Sequence, residues 1–470
     1  MYFEQIFEEK LAQYSYLIGC QETGEAIIID PMRDIDRYKK RAEKEGLKIV
    51  AAAETHIHAD YLTGLRELAE EGIKVYASGE GGKDWQYKWF KNSDYNYKLV
   101  KDGDHFSIGN IHFEVTHTPG HTPEHVSYMV TDGAAASDPM GILTGDFVFV
   151  GDVGRPDLLE TAAGQKGAMQ SSARTLFDSV ERFKEMPEYL QVWPGHGSGS
   201  ACGKALGFVP ESTVGYELRY NPSIQASESE QEFVDFILDG QPEPPLYFAR
   251  MKRDNRGGPK VLGTLPDPEK MSPEQLAELA AKKGSVAIDT RERTAFMDRH
   301  LKGSLLATFG KSFNTVVGSY VRENEDIFLI IRESDLDEAV RDLIRIGLDN
   351  IKGYVTPEEF DQYLGDTEEG ESVEVINFDD TADLIKDPQY QALDVRKATE
   401  FSEGHVTGAI NIAHTRLLDR EKELDKDKTW LIYCRTGRRA SVATSLLHRD
   451  GFKVKYVDDD VEPWLAKQKK

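Results

Sequence analysis

The sequence predicts a multidomain α/β chain, and three observations carry that expectation. Short apolar runs rich in β-branched residues alternate with charged, helix-length stretches along the chain. A pattern in the second half recurs after about a hundred residues, which marks an internal repeat. The chain has 470 residues, more than one hydrophobic core organises, so about three domains are expected.

In the first domain, strands are expected at AIIID (26–30), LKIVAAAE (47–54), IHFEVTH (111–117), GILTGDFVFV (141–150) and YLQVWPG (189–195). Each stops at Gly, Pro, Asp or His, as strands do when they feed functional loops. GAMQSSARTLFDSVERFKEM (167–186) has helical patterning. QPEPP (241–245) and the polar KRDNRGGP (252–259) read as a linker or interdomain arm, which bounds a first domain at 1–255. The repeat follows. SVAIDTRERTAFMDRHLKGSLLA (285–307) matches YQALDVRKATEFSEGHVTGAINIA (390–413), each an apolar strand, Asp-x-Arg, a helix start, Phe and His-x-x-Gly. EDIFLIIRE (325–333) matches KTWLIYCRT (428–436), and each leads into a helix ending at Gly347 or Gly451. Alternating strands and helices imply one parallel sheet per copy. The acidic GDTEEGESVE (365–374) separates them, giving domains at 256–368 and 369–470.

Composition narrows the function. There are 57 Lys+Arg against 82 Asp+Glu, a formal charge of −25. Such a surface repels phosphate backbones and anionic lipid, so nucleic acid and membrane partners are not expected. An anionic substrate would need a local cationic patch or a metal. Only three cysteines occur, Cys20, Cys202 and Cys434, which fits a reducing compartment rather than a disulfide scaffold. MYFEQIFEEK has no basic segment followed by an apolar run, so no signal peptide is expected. No uncharged apolar stretch reaches membrane-spanning length, and a cytoplasmic protein is expected.

Four strand ends carry metal-ligand chemistry. Strand 47–54 runs into Thr55-His56-Ile57-His58-Ala59-Asp60-Tyr61, and later ends supply His121 (HTPGHTPEH), Asp146 (LTGDFVF) and His196 (WPGHGSG). Imidazoles and carboxylates at separate strand ends can converge on one sheet edge, as a metal requires. This set resembles the metallo-β-lactamase superfamily, whose first motif is His-x-His-x-Asp-His, and the resemblance implies an αββα sandwich. Tyr61 stands where the last His of that motif usually sits. A phenol protonated near neutral pH is a poor zinc ligand, so a mononuclear site is expected. Within the superfamily the chain is most similar to the persulfide dioxygenases. That resemblance implies one Fe(II) on His56, His121 and Asp146, with positions open for substrate and oxygen. His58, Asp60 and His196, with Tyr61 beside them, would then orient ligands and water. In GDVGRPDL (151–158), Arg155 either grips an anionic part of the substrate or pairs with Asp152 or Asp157. Cys202, in GSGSACGKALG, either relays persulfide beside the metal, its thiolate favoured by Lys204, or is an inert buried thiol. Cys20 reads as packing.

A second chemistry lies in the last domain. Strand LIY leads into Cys434-Arg435-Thr436-Gly437-Arg438-Arg439 and then a helix. A cysteine between a strand end and a helix N-terminus faces backbone N–H groups and the positive end of the dipole, both of which favour thiolate. Arg435, Arg438 and Arg439 supply the cationic patch for an anionic sulfur compound. With Asp394-Val395-Arg396 and Gly404-His405-Val406-Thr407-Gly408-Ala409, this stretch resembles the rhodanese sulfurtransferases. A protein-phosphatase loop needs Arg at the sixth position after Cys, where Ala440 stands. Tyr456-Val457-Asp458-Asp459-Asp460 replaces the usual Gly-Gly turn, leaving the local loop geometry open. In the middle copy, aligning LII (329–331) with LIY puts Arg332 at the cysteine position ahead of the acidic ESDLDE. That copy therefore reads as a pseudo-rhodanese without chemistry, serving as a spacer or an interface in a homo-oligomer.

The same domain order occurs in bacterial persulfide dioxygenase–rhodanese fusions. The resemblance implies oxidation of low-molecular-weight thiol persulfides by O₂ to sulfite, with Cys434 passing sulfane sulfur to sulfite as thiosulfate. Two rivals stand beside it: a zinc thioester hydrolase similar to glyoxalase II fused to a sulfurtransferase, and a persulfide carrier or sensor. Spacing alone does not distinguish iron from zinc.

Overall fold

The computed structural model describes residues 1–161, 167–204 and 206–468. The chain forms two compact units, Met1–Thr264 (with the short stretch Arg345–Gly347) and Leu265–Lys470 without it.

The first unit is built on two six-stranded sheets. One runs Tyr2–Glu8, Gln13–Cys20, Glu25–Ile29, Lys48–Ala53, Lys74–Ser78, Tyr97–Val100 in space as in sequence. The other has the spatial order Ser212–Thr213, Gln191–Pro194, Gly141–Gly145, Val126–Asp132, Ile111–His117, His105–Ile108. Successive side chains point to opposite faces of a strand, and the cores follow that rule. In Glu25–Ile29, Ala26 and Ile28 pack outward against the helices Asp36–Lys44 and Leu65–Glu70. Ile27 and Ile29 turn inward to meet Phe113, Val115, Tyr128 and Leu143 of the other sheet. On the far side, Ile142 and Val192 pack under Ala173, Leu176, Val180 and Phe183 of the helix Ala168–Lys184. The layers are therefore helix, sheet, sheet, helix, and the metallo-β-lactamase sandwich expected of this region is present.

One expectation changes. The polar 252–259 segment is not a free linker: Phe248–Gly257 is a helix of the first unit. Phe248, Met251 and Asn255 lie on its buried face at helical spacing, and that spacing outweighs the polar composition.

The second unit contains two five-stranded parallel sheets of one design. The strand orders are Glu269–Lys270, Ile351–Val355, Asp326–Ile330, Ser285–Asp289, Leu305–Leu306 and Val375–Ile376, Lys453–Val457, Thr429–Tyr433, Tyr390–Asp394, Ile410–Asn411. Register ties the two copies together residue by residue. Asp289 pairs with Ile330 as Asp394 pairs with Tyr433. The cysteine position in the middle copy is therefore Ile331, not Arg332: the ladder fixes the alignment one residue earlier than matching LII with LIY suggests. Ile331 is buried, which leaves the middle copy without a nucleophile there. Among the described residues no helix is long and apolar enough to cross a membrane.

Candidate metal centre and sulfur-transfer loop

The metal-type donors meet where the two sheets of the first unit present their strand ends. His56 follows Lys48–Ala53, His121 lies between Ile111–His117 and Val126–Asp132, Asp146 follows Gly141–Gly145, and His196 follows Gln191–Pro194. Donor atoms of His56, His121 and Asp146 lie within 4.8 Å of one another, and all three residues are buried. Nε2 of His121 is 3.5 Å and Nε2 of His56 3.9 Å from Asp146 Oδ2.

Each imidazole is held by its other nitrogen. The Thr55 hydroxyl donates to Asp30 Oδ2 at 3.0 Å and lies 2.9 Å from His56 Nδ1, so it accepts from that ring. His121 Nδ1 donates to the Arg155 carbonyl at 3.1 Å, and His196 Nδ1 to the Ala12 carbonyl at 3.1 Å. A ring that donates through Nδ1 presents a lone pair at Nε2, as metal-ligating histidines do. Burial pushes His121 down to about 3 and His56 well below its ordinary value, which keeps those two rings neutral. Burial also pushes the Asp146 carboxyl up to about 6. Among the described residues neither Asp146 oxygen has an N–H or O–H hydrogen-bond partner, and the Cys202 thiol lies close enough to interact. Leaving such a group unmatched is costly, so the donor set fits a cation. Two glycines make room: Gly145 turns the chain at φ +50, and a Cβ on Gly195 would come within 2.6 Å of Asp146 Oδ1.

The remaining expected residues sit around this triad. His196 Nε2 lies 3.4 Å from Asp60 and 3.5 Å from Asp146 Oδ1, and Asp60, His196 and Cys202 form a second group of converging donors. His58 turns to Asp30, Nε2 to Oδ1 at 3.2 Å; burial alone would lower it, but Asp30, Glu54 and Asp60 raise it to about 9. Tyr61 stacks on His58 and donates its hydroxyl to the Asp30 carbonyl at 3.3 Å, away from the metal donors.

For Arg155 and Cys202 the structure bears on the alternatives left open. Arg155 is no free substrate clamp: its guanidinium donates to both oxygens of Asp157 (2.8 and 2.6 Å), to Ala201 O (3.0 Å) and to Pro242 O (2.7 Å). Its side chain is buried, and these bonds tie the Asp157, Cys202 and 242 segments together. Lys204 does not face the Cys202 thiol either; Nζ donates to the carbonyls of Phe236 and Asp239. Burial pushes that thiol well above its ordinary value, so Cys202 rests as a thiol beside the metal donors.

In the second unit, Cys434 follows Thr429–Tyr433 directly and precedes the helix Arg438–Arg449. Its sulfur accepts from Ala440 N–H at 3.4 Å and faces the Arg439 guanidinium, which Glu400 holds in a two-point pair. Arg435 and Arg438 are exposed at the loop rim. Asp394 and Arg396 form a buried ion pair. The YVDDD departure supports the loop: Asp458 packs against Gly437, whose φ of +81 and lack of space exclude a side chain, and Val461 N–H donates to the Arg435 carbonyl at 3.0 Å. From the middle copy, Arg293 donates to the Thr436 carbonyl and pairs with Asp458 at 3.0 Å.

Residues 9–196 match the metallo-beta-lactamase superfamily, and residues 377–467 match the rhodanese-like domain. The bovine mitochondrial persulfide dioxygenase ETHE1 (Bos taurus) is 30% identical over 236 residues, covering 49% of this chain and 78% of that relative. The chain belongs to the persulfide dioxygenase family. It carries a rhodanese-like domain in addition. A solved metallo-beta-lactamase from Staphylococcus aureus shares 40% identity across 76% of this chain and 99% of its own, with a TM-score of 0.68. The probable polyketide biosynthesis zinc-dependent hydrolase BaeB of Bacillus velezensis is 25% identical over 231 residues, 49% of this chain and 89% of its own.

Sequence reasoning missed several residues that shape the dioxygenase-family centre. His125, four residues after His121, accepts from the Asp146 backbone N–H at 3.0 Å, and its place in HTPGHTPEH was the available signal. Asp30 and Thr55 had none beyond ending strands. Asn255 is buried and bonds to Thr63 N–H (2.9 Å), His58 O (2.8 Å) and Tyr61 O (2.7 Å), from a position 192 residues beyond Thr63.

Proposed function

We propose that this chain is a mononuclear non-haem Fe(II) dioxygenase that oxidises low-molecular-weight thiol persulfides to sulfite. Its rhodanese-like domain then passes sulfane sulfur from Cys434 to sulfite, giving thiosulfate. The observation that carries the reading is the buried Asp146 carboxylate, which has no N–H or O–H partner among the described residues and faces the Nε2 atoms of His56 and His121. Iron(II) would be held by these three residues and would supply the redox capacity for oxidising a persulfide with O₂. The chain's own contribution is orientation: Thr55, Arg155 O and Ala12 O fix the rings, and His58, Asp60 and His196 line the centre. Cys202 lies among them as a neutral thiol and is assigned a part in guiding persulfide there.

At the second centre, the Ala440 N–H and Arg439 stabilise negative charge on Cys434. Sulfite attacks the outer sulfur of the Cys434 persulfide, a new S–S bond forms, the old one breaks, and the Cys434 thiolate leaves. Arg435 and Arg438 draw the anions to an otherwise acidic protein. In this reading 1–255 is the dioxygenase domain, 256–368 the pseudo-rhodanese and 369–470 the active rhodanese. Three cysteines, none in a disulfide, support a cytoplasmic setting, and the inactive copy is assigned to homo-oligomer contact.

The test is metal and oxygen accounting. Protein purified anaerobically should hold about one iron per chain and consume O₂ when glutathione persulfide is added. A pair of zincs with no oxygen uptake would overturn the reading. One observation favours that second reading, a two-metal hydrolase: the Asp60, His196 and Cys202 donors beside Asp146 offer a second seat.

A further inference from the structure

We propose that His300, Glu371 and His448 form a binding site for a divalent transition-metal ion of the zinc class, fastening the Cys434 helix to the inactive copy. One donor atom from each of the three lies within 4.8 Å of the others. His300 Nε2 and His448 Nδ1 are 3.2 Å apart, close to the separation of about 3.3 Å that two nitrogens have on a tetrahedral zinc with bonds near 2.0–2.1 Å.

Three elements set this geometry. His300 and Glu371 face each other as a cross-strand pair between His300–Leu301 and Gly370–Glu371. His448 comes from the last turn of Arg438–Arg449, where the negative end of the helix dipole favours a cation. His300 is buried, His448 and Glu371 are about a quarter and a third exposed, and an ion can therefore enter from solvent.

The tautomer of His300 is fixed. Nδ1 donates to the Phe296 carbonyl at 2.7 Å and the ring stacks on Phe296 at 4.0 Å. The lone pair is thus at Nε2, aimed at His448, the arrangement of a histidine ligand oriented by a backbone carbonyl. The other copy shows what the repeat itself requires. His405 bonds to the Phe401 carbonyl at 2.8 Å and stacks on Phe401 at 3.7 Å. Yet it belongs to no cluster of three donors among the described residues. The second imidazole and the carboxylate are additions at the seam beyond that shared packing. Glu371 also pairs with the exposed Lys302 at 3.3 Å, a partner free to swing away.

The site is independent of the chemistry proposed for Cys434 and for iron. Iron-loaded full-length protein, freed of loose metal, is titrated with Zn²⁺ against a chromophoric chelator, and with Co²⁺ read by its visible absorption. The expected result is one further equivalent per chain with tetrahedral-type Co²⁺ absorption. His448→Ala and Glu371→Gln should each weaken its affinity at least 10-fold, with iron content and oxygen uptake unchanged. Zinc should also raise the unfolding midpoint of the second unit in wild type but not in His448→Ala. No further equivalent in wild type would overturn the proposal. So would uptake that both variants retain in full, since that ion would sit elsewhere. If His448→Ala fails to fold, Glu371→Gln, a change at a partly exposed residue, decides alone.

Discussion

Replacing Asn255 by alanine should damage the metal centre from a residue that touches no metal donor. Its side chain makes three buried hydrogen bonds, to Thr63 N–H, His58 O and Tyr61 O. These pin the 58–63 part of the loop that carries His56, His58 and Asp60. At about 1 kcal/mol net per bond, and more where a buried group stays unmatched, the loss is about 3–5 kcal/mol. For a unit of this size that lowers the unfolding midpoint by roughly 5–9 °C. Disturbing the support of ligating histidines costs about 10–100-fold in metal affinity. The assay is iron content after equilibration with a competing chelator, paired with thermal unfolding of the metal-free protein. Asn255→Asp is the informative control: it still accepts from Thr63 N–H but cannot donate to the two carbonyls, so it should be nearly as damaging as alanine. Wild-type iron affinity and midpoint in Asn255→Ala would refute the reasoning and return the 248–257 helix to the role of a linker.

Three further outcomes follow from the same geometry. Cys434→Ser should abolish thiosulfate formation while leaving persulfide-dependent oxygen uptake in place; joint loss of both in a folded variant would contradict separate centres. Cys202→Ser should lower oxygen uptake several-fold at subsaturating persulfide with iron content retained, and unchanged oxygen uptake and thiosulfate output would end its assignment. Burial and the neighbouring Asp450 push the Glu421 carboxyl up to about 7. A carboxyl raised on folding stabilises when protonated, so its contribution is present below about pH 4.5 and is lost as pH rises through 7. Denaturant midpoints at pH 5 and pH 8 should therefore differ less in Glu421→Gln than in wild type, and equal differences would dismiss the carboxyl as the source.

Much of the candidate site is legible in the sequence because its ligands end strands. His56, His121, Asp146 and His196 each follow an apolar run, the last three in turns that contain Gly, and the fold brings them to one edge. The Cys434 loop is local: a strand, four residues and a helix suffice to read it. Arg155 and Lys204 show where reading along the chain stops. The Arg155–Asp157 pair is local and legible, but the carbonyls of Ala201 and Pro242 that also hold Arg155, and those of Phe236 and Asp239 that hold Lys204, come from segments further along the chain.

The residue order alone determined the repeat, the donor types and the nucleophile, because these depend on periodicity and on short-range turns, while the layered sandwich is what the resemblance of its motifs implies. Only the tertiary structure decided which nitrogen of each histidine is free, that Ile331 fills the cysteine position, and that a polar stretch near residue 255 supports the metal loop. Hydrogen-bond direction and strand register are properties of pairs of segments. A single segment carries no record of its partner until packing brings the two together.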